Sequence, residues 1–123
     1  MLIRDFLTLL LDDTLEDARL RYCRPTDTMA FQGAEHALEE CRAAMQGEAM
    51  SENLRALVAD ARRHAELATG EADEWFWMTR EMYIEWIAQV VSVVLVSHRC
   101  NAILPPSRAA ALEAARLLDM NIA

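Results

Sequence analysis

The sequence predicts an all-α protein, a bundle of about five helices with one long, apolar fourth helix. Apolar residues recur at steps of three and four along most of the chain, the period of a helix face turned to a core. Only three glycines and three prolines occur in 123 residues, too few for a β-fold with many tight turns. Apart from Gly33, these breakers fall between the periodic stretches, and the length fits a single domain over residues 1–123.

The first helix is expected from about Leu2 to Cys23. Ile3, Leu7, Leu11, Leu15, Ala18 and Tyr22 form its stripe, Phe6 and Leu10 widen it, and Asp12, Asp13, Glu16 and Asp17 take the other side. Pro25 stops it, because the residue before a proline is pushed out of the helical region. Thr26, Asp27 and Thr28 offer N-caps for a second helix reaching about Met45, with a seam of Phe31, Ala34, Leu38, Cys41 and Met45. Gly33 costs such a helix ~1 kcal/mol relative to alanine and suits a close helix crossing. Gly47 is the expected C-cap. Ser51 is expected to cap a third helix with a stripe of Leu54, Leu57, Val58, Ala61, Ala65 and Ala68, ended by Gly70. Short loops between these three predict antiparallel neighbours.

The fourth segment, about Asp73 to Asn101, has no glycine or proline. As one helix it would be ~43 Å long at ~1.5 Å per residue, against roughly 35 Å for the diameter of a domain this size. It must then overhang, kink or lie across a second subunit. Val90–Val96 is apolar on nearly every face, and its valines favour a strand locally. No other segment offers a strand partner, so a helix is the better reading. Pro105 and Pro106 break the chain, and Ser107 caps a fifth helix to about Met120.

The formal charge is −8, and all twelve cations are arginines. Residues 25–50 carry −4 and residues 71–104 carry −3. Direct binding to nucleic acid or an anionic membrane is disfavoured, since affinity there comes from cations neutralising phosphates. A basic protein surface suits this charge better. Cys23, Cys41 and Cys100 are odd in number with no CxxC, pointing to a reducing compartment. The first residues lack the basic start and cleavage site of a signal peptide, and the longest apolar run is too short for a bilayer, so a cytoplasmic location is expected.

Chemistry is poorly represented. None of His36, His64 and His98 follows a Glu at the Glu-x-x-His spacing of di-iron bundles. His36 shares a face with Glu39 and Glu40, and His64 with Asp60, but one or two ligands do not make a metal site. Ser92, Ser97, Cys41 and Cys100 sit in apolar helix rather than on a strained turn, and no glycine-rich loop could cradle phosphate. No cofactor or catalytic residue is assigned. Glu81 and Glu85 share a face where like charges repel, as on an ordinary acidic surface.

The outstanding feature is Trp75-Phe76-Trp77, followed by Met78, Met82, Tyr83 and Trp86 among acidic residues. Three consecutive helical residues span about 200° of arc, so the three rings cannot share one core. Trp75, Met82 and Trp86 are expected on one side and Trp77 on another, turned outward. Aromatic anchors in a charged rim are how interface hot spots are built. Glu74, Trp75, Trp77, Glu81 and Glu85 are therefore the expected partner-binding residues. The favoured function is a non-catalytic inhibitor or adaptor that binds a basic partner. In size and charge only, the chain resembles helical immunity proteins and phage-encoded anti-CRISPR inhibitors. It shares no motif with them, so no residue roles carry over. Self-association as a homodimer is also expected, since Val90–Val96 is apolar on more faces than one neighbour covers, with Val90, Val91 and Val94 as the dimer seam. The alternative functions are a homodimeric scaffold and a ligand-binding or enzymatic bundle.

Overall fold

A computed structural model describes residues 3–47 and 49–99. Helix α1 (Ile3–Arg21) buries Phe6, Leu7, Leu10, Leu11 and Ala18, the stripe its spacing predicts. Thr14 is buried among them, and its hydroxyl donates to the Leu10 carbonyl at 2.7 Å, which satisfies the one polar group on that face. After a 3₁₀ turn at Pro25–Asp27, α2 (Thr28–Ala44) buries Ala30, Gly33, Ala34, Ala37, Leu38 and Cys41. Helix α3 (Met50–Leu67) buries Leu54 and Ala61, with Leu57 and Val58 packed at the edge of the core. Helix α4 is Glu71–Arg99. Among the described residues the chain is all-helical, with no strand, and the valine-rich segment is helix. The expected fifth helix lies outside them.

The caps differ in detail from expectation. Ala49, not Ser51, precedes α3, whose start is tied to the end of α2 by Asn53 donating to the Ala44 carbonyl at 3.2 Å. Gly70 opens α4 rather than closing α3: at φ +90° it turns the chain, and its carbonyl accepts the Glu74 N–H at 2.9 Å. Asp27 precedes α2, but its carboxylate turns back to the Arg24 side chain at 3.1 Å instead of capping the helix. Hydrogen bonding to Arg24 holds that carboxyl below its ordinary value.

Successive helices alternate in direction, as Arg42–Asp12 links α2 to α1 and Arg80–Asp60 and Trp77–His64 link α4 to α3. The closest approach is nevertheless between α2 and α4, which run in the same sense: His36 lies against Phe76, and Glu40 against Arg80. Gly33 permits it. A Cβ there would overlap the Phe76 carbonyl oxygen and lie 3.3 Å from the Arg80 nitrogen, so the helix backbones touch where only hydrogen fits. Glycine to alanine inside a helix normally stabilises by ~1 kcal/mol. Gly33→Ala is expected to do the reverse, lowering stability by about 1–3 kcal/mol through forced separation of α2 and α4. Urea unfolding checks the sign.

Candidate functional site

Two features of α4 stand out: a charged cluster on its inner side and an apolar stripe on its outer side. The inner cluster centres on Arg80, whose side chain is 3% exposed. Its Nε and one terminal nitrogen clasp Glu40 of α2 at 2.9 and 2.6 Å, and that nitrogen also reaches Asp60 of α3 at 3.0 Å. The guanidinium carbon lies 5.3 Å from the centre of the Trp77 ring. Trp77 stacks on His64 at 4.8 Å and meets Phe76 edge-on, and Phe76 meets His36. Each histidine also contacts one of the carboxylates, His36 with Glu40 and His64 with Asp60. One arginine thus joins three helices. The guanidinium fills the place between the carboxylates that a bound cation would need, and among the described residues no group of three or more metal-ligating side chains assembles.

Hydrogen bonding from Arg80 is the main cause holding the Asp60 carboxyl below its ordinary value, against partial burial. Because the shift is downward, the stability it contributes is complete above about pH 4 and is lost as pH falls through the lowered folded value. Unfolding free energies measured between about pH 6 and pH 3 should fall more steeply for the native chain than for Asp60→Asn. Parallel curves would remove Asp60 from the acid response.

The outer side of α4 carries Trp75, Met78 and Met82, which are 58%, 59% and 47% exposed. Their three-and-four spacing keeps them in one row. Trp86 continues the row, half-buried. Along one edge run Glu74, Glu81 and Glu85. Arg62 of α3 donates to Glu85 at 2.6 Å, while Glu74 and Glu81 have no ion pair among the described residues. Partial burial first, and then repulsion from Glu85, raise the Glu81 carboxyl above its ordinary value, with Arg62 opposing and Glu66 adding to the effect.

The expected contact residues divide accordingly. Glu74 and Trp75 are exposed on the outer face, with Glu81 and Glu85 half-buried at its edge. Trp77 is not turned outward: α3 covers that side of α4, so the ring packs on His64 and Trp75 is the exposed one. Val90, Val91 and Val94 are not an exposed seam either, since all three are buried in the chain's own core. Residue spacing shows which side chains share a face of α4, but not that one face meets α2 and its neighbour α3. Met78 belongs to the exposed row by its spacing from Trp75 and Met82. Arg80 had no comparable signal, because its carboxylate partners lie forty and twenty residues away.

No protein-family model matches the chain, and no curated protein or solved structure is significantly similar to it. Among the described residues, no helix is long and apolar enough to cross a membrane.

Proposed function

We propose that this chain is a non-catalytic binding protein, an inhibitor or adaptor that engages a basic partner protein through the outer face of α4. The observation supporting this is the exposed Trp75, Met78 and Met82 row beside an acidic edge. A large apolar ring held on a rigid helix loses little conformational freedom on binding, and burying it against a partner is typical of a hot spot. The acidic edge adds attraction for a basic surface and speeds encounter at low salt. A reducing, cytoplasmic setting belongs to the same reading, in which Cys23, exposed, and Cys41, buried, are not joined to each other among the described residues. Burial pushes the Cys41 thiol up to about 12, which suits a packing role rather than a nucleophile.

Trp75→Ala is expected to leave the helical signal unchanged and stability within about 0.5 kcal/mol, because the ring is mostly in solvent. The same change should weaken binding to the partner at least tenfold, equivalent to ~1.4 kcal/mol or more. Quantitative capture from the source lysate by native and variant chains, at low and raised salt, is the measurement. Equal capture by both would reject the outer face of α4 as the contact surface.

A further inference from the structure

We propose that the occupant of this face is an α-helix with basic side chains along one edge, lying lengthwise on α4. This rests on the reading of the outer face as the contact surface. Trp75, Met78, Met82 and Trp86 recur at the spacing that a second helix covers with its own apolar seam. From Trp75 to Trp86 the row is about 16 Å long, some three turns, enough for a short amphipathic helix. Methionine is flexible and polarisable, so Met78 and Met82 can fit apolar side chains of varied shape.

The charge pattern gives the occupant its sidedness. At 100° per residue, Glu74, Glu81 and Glu85 fall within about 40° of arc on the edge facing α3. The opposite edge holds Thr79 and Tyr83, both buried. Along the row itself the carboxylates of α4 therefore lie on one side of the apolar seam, with Glu71 beyond its first turn and Asp17 of α1, already paired with Arg21, beside Tyr83 on the other. Lysine or arginine on the α3 side fits them. Glu66 of α3 deepens the negative charge, and Arg62 is the cation already paired there. Phosphate-bearing ligands are repelled by the same edge. A second copy of the chain packed antiparallel on this row would set the acidic edge against itself. Burial and like charge already raise the Glu81 carboxyl, so an arriving cation relieves a repulsion that the free protein carries.

The test uses the full chain and two synthetic 18-residue peptides. Both have leucines on one face; one has lysines along one edge, and the other has glutamates in their place. The lysine peptide should gain helicity on mixing, by circular dichroism, and bind at least tenfold more tightly than the glutamate peptide. Trp75→Ala should weaken it at least tenfold. Glu74→Gln with Glu81→Gln should weaken it about threefold or more and flatten its salt dependence. Equal binding of the two peptides, or lysine-peptide binding indifferent to Trp75→Ala, would overturn the proposal. If neither peptide binds but Trp75→Ala still abolishes partner capture, the contact surface stands and the helical occupant is rejected. A Trp75-dependent dimer in light scattering would instead make a second copy the occupant. Trp75 already shielded from acrylamide in the free chain, measured against Trp75→Phe, would mean that the rest of the chain covers the row. Either result removes both readings.

Discussion

Arg80→Met is expected to cost about 3–5 kcal/mol, a large share of the ~5–15 kcal/mol that holds a typical domain together. The side chain is nearly inaccessible, and one of its nitrogens serves carboxylates from two different helices. Removing the cation leaves Glu40 and Asp60 beside each other, partly withdrawn from water and without their shared partner. Asp60 keeps Arg63 at 2.7 Å and Glu40 keeps His36, so most of the loss is the cost of leaving the inner carboxylate oxygens that faced Arg80 under-compensated, and not the net strength of the ion pairs, which desolvation offsets. This has two measurable consequences. The deficit of Arg80→Met against the native chain should narrow as pH falls from about 7 towards 4, since protonation neutralises the stranded carboxylates. Adding Glu40→Gln and Asp60→Asn to Arg80→Met should recover at least half of the lost stability. Urea midpoints unchanged by Arg80→Met would show that the cluster does not hold the helices together.

Trp77→Ala is expected to destabilise the protein by about 2–3 kcal/mol, lowering the melting temperature by roughly 10 °C. Helical spacing puts Trp77 and Trp75 on different sides of one helix, but nothing in the local sequence tells which side is covered. Their surroundings separate them. Trp77 stacks on His64 and lies under the Arg80 guanidinium, so its removal loses buried area, a stacked ring and a cation–π contact together. A double-mutant cycle of Trp77→Ala with His64→Ala should show coupling of about 0.5–1.5 kcal/mol. Thermal unfolding of Trp75→Ala and Trp77→Ala side by side is the direct comparison. Similar melting temperatures for the two would contradict the packing of Trp77 against α3.

Much of the helix layout is legible in residue order because it depends on short-range physics. The row of Phe6, Leu7, Leu10, Leu11 and Ala18 can be read from spacing, since a helix places residues three and four apart on one face whatever lies opposite. Gly33 is legible in part: a glycine inside a periodic helix has an evident helical cost, and a close crossing is a reason to bear it. Pro25 holds Arg24 extended by local sterics, three residues past the end of α1 at Arg21. Cap positions are not legible in the same way, because Ala49 precedes α3 where propensity favours Ser51, and Gly70 opens α4 where propensity would have it close α3; the loops are set by where the helices must end to pack.

Sequence by itself determined that the described residues are helical, where the breaks between their helices fall, and that α4 carries more apolar surface than one face can hold. Only the tertiary structure decided which surface stays outside. Helix α2 approaches through Gly33 and α3 packs alongside, so Trp77 and Arg80 turn inward. Val90, Val91 and Val94 join the core, and Trp75, Met78 and Met82 remain exposed. The reason is range. Periodicity records angles around one helix axis, whereas the facing partner is chosen by contacts between residues twenty to forty positions apart, such as Arg80 with Asp60 and Glu40.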